Sequence, residues 1–143
     1  MKPWHVDTLQ LPNDSGAVRI EAYGEHHMGC ENIAIVPSFP IGGVSRFFAT
    51  NGSAYYSAHT NSLIIRDACV LLRFNMQSKT LEHFVPPTGW YIGNVEESDA
   101  GYHFSLYASF KNSEHRIPFS SGEFAPGFGP VARGAFPSAR FSA

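Results

Sequence analysis

The most regular alternation of apolar and polar positions runs over residues 102–110. There Tyr102, Phe104, Leu106, Ala108 and Phe110 interleave with His103, Ser105, Tyr107 and Ser109. Successive strand side chains point to opposite faces, so the pattern predicts a strand with one apolar face and one mixed polar face. Upstream, residues 90–95 supply a second apolar arm and residues 96–101 a polar connection. Together, 90–110 reads as a hairpin around which the rest of the chain is organised.

Other segments repeat the signal. Val18, Ile20 and Ala22 alternate with Arg19, Glu21 and Tyr23, the mark of a half-buried strand. Residues 32–36 form a short β-branched apolar run that suits a strand buried on both faces. Residues 44–50 and 53–59 flank Asn51-Gly52, a dipeptide that tolerates positive φ and so predicts a tight hairpin. The apolar runs 63–66 and 69–75 admit a single helix as the competing reading. The β-branched Ile64, Ile65 and Val70 and the lack of a capping box favour two strands. Residues 80–85 and 115–119 add two more, the last confined to an edge by Pro118. Polar or breaker-rich segments at 12–16, 24–29, 37–43, 77–79, 86–89 and 111–114 read as turns and loops. About ten short strands predict an all-β, antiparallel, single-domain sandwich or barrel. No internal repeat supports a solenoid or propeller.

Composition narrows this reading. The chain has 143 residues, one domain's worth, with 15% charged residues, 14% aromatics and a net charge of −2. That balance excludes a broad nucleic-acid footprint. Cys30 and Cys69 are expected as free thiols, although one bridge between them is compatible with the sequence. The first residues lack the apolar core of a secretory leader and no run is long enough for a membrane helix, so a cytoplasmic protein is expected.

Residues 121–143 differ from the domain over 1–120. Gly and Pro recur among Phe124, Phe128, Phe136 and Phe141, and the only charges after Glu123 are Arg133 and Arg140. Breakers deny this segment regular structure, while four Phe are many for a solvated tail. It is expected either to wrap the domain or to dock on a partner through its Phe and Arg residues.

Chemistry-bearing motifs are sparse. His26, His27 and Cys30, with Glu25 and Glu31 beside them, form the densest set of potential metal ligands, suited to zinc or another divalent ion. Adjacent histidines share one metal only from a loop, which the polar stretch 24–29 would supply. The segment Gly24-Glu25-His26-His27-Met28-Gly29-Cys30-Glu31 resembles the first histidine motif of the cupin family. That resemblance implies a metal-binding β-barrel, and a barrel reading would draw its site on His26, His27, His59, His83 and His103. The family motif is His-x-His, whereas these histidines are adjacent, and no second motif follows. His103-Phe104-Ser105 looks like half of a 2H phosphoesterase signature, whose second His-x-Ser/Thr copy is missing here. No phosphate loop, nucleophile elbow or paired Cys-x-x-Cys is present. Arg19, Arg46, Arg66 and Arg73 fall in the strands and are expected to point outward.

The reading this supports is a protein-binding module or inhibitor, comparable in size and class to bacterial immunity or anti-defence factors. Its partner-facing residues would be Tyr91, His103, Ser105, Tyr107, Phe124, Phe128, Arg133, Phe136 and Arg140. Tyr, Phe and Arg are the types interfaces favour. The alternative is the histidine-lined barrel binding a metal or small molecule, and a third reading is a subunit of a larger assembly.

Overall fold

The computed structural model describes residues 2–27 and 30–128, and for 25–27, 30 and 31 the backbone alone. Among the described residues thirteen strands form three antiparallel sheets, each built mainly from consecutive strands. The first sheet holds β1 (His5–Gln10), β2 (Ala17–His27), β3 (Cys30–Pro37) and β4 (Phe47–Thr50) in that order. The second holds β5 (Ser53–Ser57), β6 (Ser62–Asp67), β7 (Val70–Asn75) and β8 (Leu81–Phe84), with β13 (Ala125–Pro126) added beside β8. The third holds β9 (Tyr91–Ile92) and β10 (Glu96–Ser98), both against β11 (Gly101–Ala108), then β12 (Lys111–Pro118). Among the described residues no sheet closes into a barrel, so the molecule is a layered sandwich.

The second sheet is the middle layer, and its sequence explains why. Leu63, Ile65, Val70, Leu72 and Phe74 pack against Val18, Ala22, Ile33, Ile35 and Phe47 of the first sheet. The alternate residues Ile64, Leu71 and Phe84 pack against Ile92, Tyr102, Phe104, Leu106 and Ile117 of the third. A strand covered on both faces needs apolar residues at every position, and residues 63–65 and 70–72 supply them. The two runs are therefore strands joined by a turn at Ala68-Cys69, as their β-branching indicates.

Several expectations are corrected. Asn51-Gly52 closes no hairpin: among the described residues β4 pairs with β3 and β5 with β6, not with each other, so the chain changes sheets there. Asn51 does take positive φ (51°), and its carbonyl accepts a hydrogen bond from the buried Arg66 guanidinium, which fixes the corner. The polar stretch 24–29 is no loop through His27, since β2 continues to that residue with an irregular register after Tyr23. In the hairpin over 90–110, residues 96–98 are strand and the turn shrinks to Asp99-Ala100. Residues 111–114 likewise belong to β12. Phe110 leaves the apolar face entirely: it sits in the β11–β12 turn, fully exposed.

Arg66 and Arg73 do not point outward. Both are buried between the second and third sheets. Arg66 donates to the Ile92 carbonyl (3.0 Å) and to Ser53 Oγ (3.3 Å). Arg73 donates to the Phe119 carbonyl (2.8 Å) and Glu82 Oε1 (3.1 Å) and lies 4.0 Å above the Phe124 ring centroid. A signal for this lay in the sequence: each arginine follows a doubly apolar run that has no solvated face to turn to.

Candidate binding surface

The outer face of the third sheet assembles four of the expected site residues. Cross-strand register sets Tyr91 opposite Tyr107, Tyr107 opposite Asn112, Ser105 opposite Glu114, and His103 between Glu96 and Arg116. Residues opposite each other share a face. Tyr91 and Tyr107 are the exposed aromatic pair at one end of it, 51% and 46% accessible. Gly93 lets the Tyr107 ring lie down over β9: a Cβ there would come within 2.6 Å of Tyr107 Cε2. Ser105 Oγ donates to Glu114 Oε1 at 3.1 Å, which holds the centre of the face. At the His103 end, Ser98, Ala100, His103, Arg116 and Pro118 line a cavity of about 190 Å³. At the Tyr107 end the exposed Phe110 projects from the adjoining turn.

The remaining expected partner residues separate from this face. Phe124 is buried in the second core, edge-on to Tyr102 at 5.8 Å, so it is not partner-facing. Phe128 is half-buried against the first core beside Gly42 and Phe47, so it too serves the domain. Arg133, Phe136 and Arg140 lie outside the described residues. Residues 121–128 of the Gly/Pro/Phe segment are thus part of the fold, through β13 and two Phe anchors.

His59, His83 and His103 do not converge. His59 stacks on Phe119, His83 Nδ1 lies 2.8 Å from the Gly127 carbonyl oxygen, and His103 sits on the outer face of the third sheet. The side chains of His26, His27 and Cys30 lie outside the described ones. Among the described residues no group of three or more His, Cys, Asp or Glu is placed to hold a metal ion. Cys69 is a free thiol, half-buried, with its pKa pushed up by burial and by the neighbouring Asp67. Among the described residues no helix is long and apolar enough to cross a membrane.

Two other polar groups are structural in form. On the outer face of the first sheet Glu21 accepts hydrogen bonds from Arg19 (3.0 Å), Tyr23 (2.9 Å) and Arg46. Burial pushes its pKa up, but these three donors outweigh burial and hold it below its ordinary value. Between the second and third sheets, burial, followed by the nearby Glu97 carboxylate, pushes the Tyr55 phenol well above its ordinary range. Neither group opens onto a cavity named above.

Compared with protein-family models, with characterised proteins and with solved structures, the chain matches none. The reading of function therefore rests on its surface alone.

Proposed function

We propose that this protein is a binding module for another protein and that the outer face of the third sheet is its docking surface. The observation carrying this reading is the Tyr91–Tyr107 pair, two half-exposed aromatic residues set opposite each other on paired strands. Tyrosine buries a large apolar area at low entropic cost and offers a hydroxyl to a partner, so it concentrates binding energy at interfaces. His103, Ser105, Glu114 and Arg116 extend from the pair along the same face as a polar margin with donors and acceptors of both signs. Such a surface binds without transforming its partner, which is the form an inhibitor or immunity-type factor takes.

The test is affinity capture with the intact protein and with a Tyr91→Ser/Tyr107→Ser variant, followed by titration calorimetry on the purified pair. A partner that binds the intact protein and weakens by about thirtyfold or more in the variant supports the reading, since hot-spot tyrosines cost about 2 kcal/mol or more. A partner whose affinity is unchanged by the double substitution refutes this surface as the docking site.

A second reading draws on a different observation. Ser15, Phe39, Pro40, Gly42, Phe74 and Lys79 line a cavity of about 380 Å³, within the size of small-molecule sites. Its Phe39 and Phe74 rings stack at 5.8 Å and Lys79 Nζ lies 5.8 and 5.9 Å from them. An aromatic carboxylate suits that floor and charge. Binding of such a compound that is lost in Lys79→Ala, with Tyr91 and Tyr107 intact, would favour it.

A further inference from the structure

β12 is the outermost strand of the third sheet, and among the described residues nothing pairs with its far edge. Which groups it shows there follows from its neighbours. The Gly93 N–H donates to the Ser105 carbonyl at 2.8 Å, so the Ser105 backbone groups turn toward β9. Ser105 sits opposite Glu114, and in an antiparallel ladder such a non-bonded pair directs the partner's groups the other way. The Glu114 N–H and C=O therefore face the open edge, and by alternation so do those of Asn112 and Arg116. Pro118 falls at the one kind of position where a missing N–H costs nothing. The side chains of Asn112, Glu114 and Arg116 lie on the outer face, opposite Tyr107, Ser105 and His103.

We infer that a second copy of this chain docks on this edge, β12 against β12 about a two-fold axis, with Glu114 opposite Arg116 of the second copy. Charge selects the register. Strands meeting through these outward groups can pair only Asn112, Glu114, Arg116 and Pro118 among themselves. Glu114 opposite its own copy sets two carboxylates together, and Arg116 opposite its own copy sets two guanidiniums together. The register between these pairs Glu114 with Arg116, twice by symmetry, whereas the one that sets Asn112 opposite Glu114 runs Arg116 onto the β11–β12 turn and leaves it no carboxylate. Among the described residues Arg116 has no hydrogen-bond or ion-pair partner, and Glu114 accepts one hydrogen bond, from Ser105. Charges on an edge strand deter indiscriminate strand addition. Here they leave the Glu114–Arg116 register as the one that pairs both charges, and a second β12 supplies the complementary pattern.

The joined sheet keeps both outer faces on the same side and uncovered. The dimer would thus present two tyrosine pairs at once, a gain in avidity that goes beyond the single-copy reading above.

The experiment is sedimentation equilibrium on the full chain from micromolar to millimolar concentration, with the Glu114→Arg, Arg116→Glu and Glu114→Arg/Arg116→Glu variants. The intact protein should rise from its single-chain mass of 15.7 kDa toward twice that value. Each single reversal should keep it at the single-chain mass, and the double reversal should restore association. Amide exchange on the unmodified protein guards against a folding defect. The Glu114 and Arg116 amides should slow with rising concentration, and the Ser113 and His115 amides, already turned inward, should not. A chain that stays at 15.7 kDa throughout overturns the inference. So does a double reversal that fails to recover what the single ones lose.

Discussion

Arg73→Met tests how the second and third sheets are held together. Methionine keeps most of the aliphatic stem and removes the guanidinium, which is 9% accessible on its side chain. Three main interactions go with it, besides a more distant one to the Tyr102 ring at 5.8 Å. The Phe119 carbonyl loses its donor at 2.8 Å, worth about 1–3 kcal/mol if left unsatisfied. The Phe124 ring loses the cation 4.0 Å above it, about 0.5–2 kcal/mol. The Glu82 pair at 3.0 Å contributes only about 0–1 kcal/mol, because Glu82 is 37% accessible and rehydrates. Against these stands the relief of no longer desolvating a guanidinium. The balance is a loss of about 2–3 kcal/mol, or a melting temperature lower by roughly 6–12 °C for a chain of this size. Urea and thermal unfolding followed by near-ultraviolet circular dichroism measure it. Arg73→Lys should fall between the two, since a point charge cannot serve the carbonyl, the carboxylate and the ring together. If Arg73→Met unfolds within about 0.5 kcal/mol of the unmodified protein, the interactions merely offset desolvation and the argument is wrong.

Gly101→Ala should be far more damaging than Gly43→Ala. Both have positive φ (148° and 81°), but a Cβ on Gly101 runs into the Ile117 carbonyl while one on Gly43 meets nothing within 4 Å. The expected costs are at least about 2 and about 1 kcal/mol, read from melting temperatures; equal losses would contradict the close approach of β11 and β12. Glu21 should make stability depend on pH. Its folded pKa is depressed, so its contribution is present above the ordinary carboxylate value of 4.5 and is lost as pH falls through the lower folded value. The stability gap between the unmodified protein and Glu21→Gln should therefore be full at pH 7 and shrink below pH 4.5; a gap that is flat or widens on acidification would contradict the sign.

The sequence by itself determined that this chain is built of antiparallel strands. Period-two alternation in 17–23 and 102–108 follows from a pleated backbone with one wet face, and that is a local property. It also marked the doubly buried runs 63–65 and 70–72, because a strand covered twice must be apolar at every position. The polar face of β11, with His103, Ser105 and Tyr107, was readable for the same reason. What the tertiary structure alone decided is which strands are neighbours. Asn51-Gly52 carries a hairpin's chemistry, yet the chain uses its positive φ to turn from one sheet into the next, since both flanking strands found better partners. Arg66 and Arg73 point inward because carbonyls from distant segments, Ile92 and Phe119, meet them there. Phe124 became a core residue under Arg73, and Phe128 packs half-buried against the core beside Gly42. Periodicity reports whether a position faces water, and only packing across the sequence reports what it faces instead.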